Sequence, residues 1–277
     1  MPGIISVVIN LPDRISKKLS HPEDYCILST MSDWKQNVYF ILIEPKESGN
    51  IGASARAIKN MGFKNLCLVK PPAVISDEAR WLARNALDVL ESAETFDTLS
   101  DAVKDKAIVI GTTRRKGKKR GVIMPVDSGV KNIYEIASKN KVAILFGRES
   151  RGLFNEEVKE CGFLLSIPSS KDQPSLNLAQ AVLIVSYELS KAEYAKEKPA
   201  RKRVDLVRNE DITVLYSRIA ETLKNLGYIP RGDRDLEKKI MQNLKHFIGR
   251  AGVTDWELNM LHGLCSQIEK KITGKKT

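Results

Sequence analysis

Three segments concentrate residue types that bind anions and position reacting groups: NIGASARAIKNMG at 50–62, LFGRESRGLFNEE at 145–157 and IPSSKDQPSLNLAQA at 167–181. In the first, Asn50 is suited to cap a helix through IGASARAIKNM that Gly62 ends. Helical spacing puts Gly52, Arg56 and Lys59 on one face and Ile51, Ala55 and Ile58 on another, so Arg56 points away from the core. A cation near a helix start opposes the helix dipole and needs an anionic neighbour. An acidic side chain would serve, and so would an anionic substrate. In the second segment Gly147 and Gly152 bracket Arg148, Glu149, Ser150 and Arg151, and glycines let a backbone approach a ligand closely. The plain alternative is a turn held by a Glu149 ion pair. In the third, Pro168 and Pro174 frame a polar loop, and Ser175 is placed to cap the helix that begins LNLAQA. A fourth segment, RRKGKKR at 114–120, sets six basic side chains among seven residues, which suits an RNA-phosphate contact as well as a solvated loop.

Other chemistries lack their residues. Neither GxGxxG nor GxxxxGK[ST] occurs, so the glycine loops that cradle dinucleotides and nucleotide phosphates are missing. His21, His246 and His262 all lie outside the α/β portion, which leaves a serine nucleophile without its base. Cys26, Cys67, Cys161 and Cys265 are far apart and form no CxxC pair with each other or with histidine, so no metal site is expected and the cysteines read as reduced core residues.

The elements that must position these segments are legible in the hydropathy. VYFILIE at 38–44, LCLV at 66–69, AIVIG at 107–111, VAILFG at 142–147 and FLLSIP at 163–168 are continuous apolar runs, as in strands of a parallel sheet covered on both faces. Helices are predicted over 51–61, 77–86, 130–139 and 176 to about 196, giving an α/β fold with helices on both faces of the sheet. KEKPARKRVDLVRNE then reads as an exposed linker, 195–209, followed by a small all-helical domain, 210–277, with helices over 211–226, 235–249 and 255–271. Residues 1–34 are read as an N-terminal extension and are otherwise unassigned, although IISVVI could form a strand and Asp13 to Ser20 a helical turn.

Over 277 residues, Lys and Arg total 45 against 34 Asp and Glu, for a net charge of +11. The stretch from Ala195 to the end holds 18 basic and 11 acidic residues and so carries +7 of that excess. The balance favours a polyanionic partner, nucleic acid first. No apolar stretch reaches the roughly 18 residues of a membrane span, and no basic segment precedes an apolar one at the N-terminus, so a cytoplasmic protein is expected.

The order of the three segments, over Val38 to about Ala192, resembles the three motifs of the SpoU/TrmH-type RNA 2′-O-ribose methyltransferases of the SPOUT superfamily. The tail from LGYIPRGDRDLEKKI onward is similar to the helical extension of the TrmJ subgroup, which methylates tRNA at nucleotide 32 of the anticodon loop. The resemblance implies a methyltransferase domain over 35–194 with a deep trefoil knot, the segment around 167–185 threading a loop near 145–155. It also implies a homodimer with the active site at the subunit boundary, tRNA as substrate and S-adenosylmethionine as cofactor. By motif position the cofactor residues are Thr112, Thr113 and Arg114, then Gly147, then Ile167, Pro174, Ser175 and Leu176. Pro174 stands where the family has a polar residue, so only its backbone is left to make a contact. Arg56, Asn50, Ser175 and Asn177 match the catalytic positions, and Glu149 the acid that supports the site. Arg115, Lys116, Lys118, Lys119 and Arg120 are assigned to RNA.

The mechanism that follows is electrostatic. Arginine stays protonated at neutral pH, so Arg56 is read as binding phosphate and stabilising the developing alkoxide, while the proton leaves through phosphate, Ser175 or water. Two alternatives remain open: methylation of ribosomal RNA, and a non-catalytic RNA-binding protein, which would have no reason to bind S-adenosylmethionine.

Overall fold

Seven parallel strands form one sheet in the order β3-β2-β1-β6-β4-β7-β5. They are β1 (Val38–Ile43), β2 (Asn65–Val69), β3 (Glu94–Phe96), β4 (Ile108–Thr112), β5 (Ile123–Pro125), β6 (Val142–Phe146) and β7 (Phe163–Ser166). The structure is a computed structural model and describes residues 34–73, 76–115, 120–194, 204–230, 232, 234–272 and 274. The readings of 1–33, of most of the linker and of Lys116, Lys118 and Lys119 lie outside the described residues.

The central strands are continuous apolar runs because both faces are covered. Phe40, Leu42, Ile110, Ile144 and Phe146 face one cluster, whereas Ile41, Ile43, Val109, Ala143 and Leu145 face the other. The first face is covered by α1 (Ser48–Asn60), α5 (Val126–Ala137) and α7 (Leu178–Tyr194), which contribute Ile51, Ile58, Val130, Ile133, Val182 and Val185. The other takes Ala102 and Val103 from α4 (Leu99–Val103) and Val158 from α6 (Asn155–Lys159). Each large side chain so buried contributes about 1.5–3 kcal/mol. Two shorter helices, α2 (Asp77–Ala83) and α3 (Leu87–Glu91), complete this part of the chain.

All five expected strands are present within a residue or two. The hydropathy pattern does not disclose β3 and β5, each three residues long, and β5 ends in Pro125 at the sheet edge, where a missing backbone donor costs nothing. Nor does it disclose α3, α4 and α6, and α5 begins four residues before the expected start at Val130. Trp34 belongs to the core rather than to an extension: it is buried against the Phe63 and Tyr134 rings.

Beyond Val204 the chain forms α8 (Asn209–Asn225), α9 (Arg234–Ile248) and α10 (Asp255–Ile272). The start of α8 is tied by its backbone to the segment between α4 and β4: Asn209 N–H donates to the Lys106 carbonyl at 2.9 Å and Glu210 N–H to that of Lys104 at 3.0 Å. Lys245 of α9 pairs with Glu160 at 2.7 Å. Just past α9, Gly249 meets Gly162, the residue before β7, so closely that a Cβ at Gly162 would stand 1.8 Å from the Gly249 carbonyl oxygen.

Candidate functional site

The carboxyl ends of β4, β6 and β7, neighbours in the sheet, open into one cavity of about 140 Å³. This is where open α/β sheets place ligands. Every residue matched above to the cofactor lines it: Thr112, Thr113 and Arg114 after β4, Gly147 after β6, and Ile167, Pro174, Ser175 and Leu176 after β7. The hydrogen bonds show what holds these loops together. Thr112 Oγ1 donates to the Leu145 carbonyl at 2.9 Å, and Thr113 N–H donates to that of Leu165 at 2.8 Å.

The glycines of the 147–152 loop have a steric reason. Gly152 N–H donates to the Arg148 carbonyl at 2.7 Å, Gly152 has φ +64°, and a Cβ at Gly147 would lie 2.1 Å from the Gly152 carbonyl carbon. No side chain fits at Gly147. Between them Arg148 is buried and faces away from the loop. It pairs with Glu44 at 2.7 Å and Glu157 at 2.9 Å and lies over the Phe154 ring, 3.9 Å from its centroid. Hydrogen bonding from Arg148 holds the Glu44 carboxyl below its usual range, and Glu44 itself has φ +45°. The ion pair that braces this loop therefore belongs to Arg148 and not to Glu149.

Glu149 does something different. Its carboxylate accepts from the backbone N–H groups of Lys46 at 3.2 Å and Glu47 at 3.4 Å and from Asn50 Nδ2 at 3.1 Å. Burial raises its carboxyl pKa, but these hydrogen bonds outweigh burial and hold it below the ordinary value. The two backbone donors lead into α1, whose N-cap, Glu47, makes no capping bond of its own. A carboxylate a hundred residues away in sequence thus holds the backbone that leads into the helix.

Asn50 is not that cap. The helix starts at Ser48, and Asn50 sits in its first turn, buried, with Nδ2 also donating to Glu47 Oε2 at 3.0 Å. Its Oδ1 accepts from Asn177 Nδ2 at 2.8 Å. Ser175 is not a cap either. The helix α7 starts at Leu178, and Asn177 caps it by accepting from Ala179 N–H at 2.8 Å and Gln180 N–H at 3.4 Å, while Gln180 Oε1 accepts from Asn177 N–H at 3.2 Å. One residue from each motif, Asn50, Glu149 and Asn177, is joined in a single chain of hydrogen bonds beside the cavity. Both Nδ2 hydrogens of Asn50 and one of Asn177 are engaged in that chain. Ser175, exposed on the cavity wall, makes no hydrogen bond among the described residues.

Arg56 is exposed on α1 and is outside the cavity lining. Lys59, one turn on, is engaged with Asp88 at 2.6 Å, while Arg56 has no acidic partner among the described residues. Gly52, expected on the same face, packs against α2, where a Cβ would stand 2.0 Å from the Ala79 carbonyl oxygen. Of the residues assigned to RNA, Arg115 is exposed at the cavity rim, but Arg120 is turned inward. Among the described residues no cluster of His, Cys, Asp or Glu is placed to hold a metal, and no helix is long and apolar enough to cross a membrane. Burial raises the Cys67 thiol to about 12 and that of Cys161 still further, so both stay protonated.

Two family models match this chain: the SpoU rRNA Methylase family over residues 37–187, and the C-terminal domain of the tRNA methyltransferase TrmJ over 210–277. The TrmJ of Escherichia coli, named a tRNA (cytidine/uridine-2′-O-)-methyltransferase, is 34% identical over 87% of this chain and 98% of its own length. That of Pseudomonas aeruginosa, named for cytidine, uridine and adenosine, is 31% identical over 84% of this chain and 94% of its own. Among solved structures, TrmJ from Z. mobilis ZM4 superposes with a TM-score of 0.70 at 30% identity, covering 84% of this chain and 99% of that one.

Proposed function

We propose that this chain, which belongs to the SpoU methylase family, transfers a methyl group from S-adenosylmethionine to a ribose 2′-hydroxyl of cytidine or uridine in tRNA, at nucleotide 32 of the anticodon loop. The observation that carries this reading is the convergence of three separate loops on one cavity, with Asn50, Glu149 and Asn177 hydrogen-bonded beside it. The cavity suits the cofactor chemically. Phe146, Ile167, Leu176 and Leu178 offer an apolar wall for a nucleobase, the loop at Gly147 leaves backbone accessible, and threonine hydroxyls supply polar contacts.

When bound, S-adenosylmethionine supplies a methyl on a sulfonium that is already electrophilic. The task left to the protein is to hold the 2′-hydroxyl in line and to stabilise the oxygen as it loses its proton. Glu149, Asn50 and Asn177 lock the loops against each other, and Ser175 presents a hydroxyl to the cavity. Arg56, charged and without an acidic partner among the described residues, meets the RNA phosphate and the developing alkoxide. Because Arg56 does not line the cavity of its own chain, the site is completed by Arg56 of a second copy. A homodimer is also supported by α7, which exposes Leu183 and Tyr187 one turn apart. In the same reading, 167–185 threads the loop at 145–155 as a trefoil knot, residues 210–277 form a domain that captures tRNA through its share of the positive charge, and the protein is cytoplasmic.

Labelled methyl transfer to unmodified tRNA and to ribosomal RNA transcripts separates the alternatives. Incorporation into tRNA is the expected result, lost when residues 205–277 are removed. Incorporation into ribosomal RNA alone overturns the substrate, and absence of both incorporation and cofactor binding leaves an RNA-binding protein.

A further inference from the structure

Arg120 behaves unlike the other arginines of the basic run. Arg114 and Arg115 are exposed, whereas Arg120 enters the cavity and donates from one terminal nitrogen to Thr113 Oγ1 at 3.1 Å and from the other to the Leu153 carbonyl at 3.0 Å. Both acceptors are neutral. Its Nε–H is buried without an acceptor, and no carboxylate pairs with it among the described residues. Arg148, another arginine of the same cavity wall, is neutralised by two carboxylates. A guanidinium partly withdrawn from water gains from a counter-charge, and here burial and the nearby Arg115 both work against the charged form. Of its five N–H donors two are used, which leaves the inward edge of the fork for a ligand.

We propose that Arg120 receives the carboxylate of the methionine part of S-adenosylmethionine, and is therefore a cofactor-binding residue rather than an RNA contact; the inference rests on the proposed use of that cofactor. A carboxylate fits this fork through paired, charge-assisted hydrogen bonds. A backbone phosphate of a folded RNA fits it poorly, because Thr113 Oγ1 and the Leu153 carbonyl hold the guanidinium in the cavity wall, where the remaining terminal N–H groups meet a group that enters the cavity. Arg114 and Arg115, exposed at the cavity rim, are open to phosphate.

Two ligands separate the carboxylate from the rest of the cofactor: S-adenosylhomocysteine carries the amino acid part, and 5′-methylthioadenosine is the same thionucleoside without it. Isothermal titration of the full-length protein is expected to show Arg120→Gln weakening S-adenosylhomocysteine at least tenfold while 5′-methylthioadenosine changes less than twofold. Arg120→Lys, which keeps the charge, restores part of the loss. Equal weakening of both ligands overturns the proposal, since Arg120 would then only shape the cavity. No change in either, with weaker tRNA binding instead, overturns it in favour of an RNA contact. If the unaltered protein binds neither ligand, the cofactor reading fails and this inference fails with it.

Discussion

Asn50→Asp keeps the shape of a buried side chain and reverses what it offers. In the native protein Asn50 Nδ2 donates to Glu149 Oε1 at 3.1 Å and to Glu47 Oε2 at 3.0 Å. A carboxylate in its place would set a third negative charge against two, and at an effective dielectric constant of 20 each such contact is unfavourable by about 5 kcal/mol. The introduced group avoids that by taking up a proton. Holding an aspartic acid protonated costs about 4 kcal/mol at pH 7 and about 1.5 kcal/mol at pH 5, from an ordinary pKa near 3.9. For a folded unit of this size each kcal/mol moves Tm by roughly 2–4 °C. The variant should melt about 8–16 °C below the native protein at pH 7 and only about 3–6 °C below it at pH 5. The native side works in the same direction. The depressed Glu149 carboxyl stabilises the fold above the ordinary carboxylate pKa, and that contribution fades as pH falls through its lowered value. Thermal melts followed by circular dichroism at the two pH values read the gap directly. A gap under 2 °C at pH 7, or one that widens toward acid, refutes the claim that this hydrogen-bonded chain holds the three loops together.

Two further substitutions test neighbouring parts of the structure. Ser54 is fully buried in α1 and its Oγ has no hydrogen-bond partner among the described residues, so Ser54→Ala should leave stability unchanged or raise it by up to about 1 kcal/mol in a urea titration. Gly162→Ala would place a Cβ 1.8 Å from the Gly249 carbonyl and should destabilise by about 1–3 kcal/mol. Its signature is local: hydrogen exchange should accelerate at the Asn209 and Glu210 amides, which donate to the segment between α4 and β4, and unchanged protection there would contradict the docking of α8 and α9 on the sheet.

The strands were legible because burial on both faces leaves an unbroken apolar run, and β1, β4 and β6 are such runs. The chemistry-bearing segments were legible because glycine, proline and charge cluster just after those strands. The local roles within them were not. Asn50 and Ser175 both look like helix caps by residue type, yet the first helix begins at Ser48 because Glu149 satisfies the amides of Lys46 and Glu47. The second begins two residues after Leu176 because Asn177 and Gln180 form a reciprocal cap. In each case the deciding partner is a side chain whose choice depends on tertiary placement or on competition between adjacent polar residues. The inward turn of Arg120 is of the same kind: nothing in RRKGKKR distinguishes its last arginine from its first. The bracing role of Arg148 is not legible in the sequence, because its partners, Glu44 and Glu157, come from different parts of the chain.

The central claim, methyl transfer to one ribose of tRNA with Arg56 in the site, is tested most directly by mapping the methyl group on the product. Unmodified tRNA transcript, labelled S-adenosylmethionine and the full-length protein are incubated together, with Arg56→Ala in parallel, and the modified ribose is located by nuclease digestion and mass spectrometry. The expected result is a single 2′-O-methyl at nucleotide 32 with the native protein, and a fall of at least a hundredfold with Arg56→Ala, about 2.7 kcal/mol of lost transition-state stabilisation. Methylation at another nucleotide, or an Arg56→Ala rate within twofold of native, would contradict it.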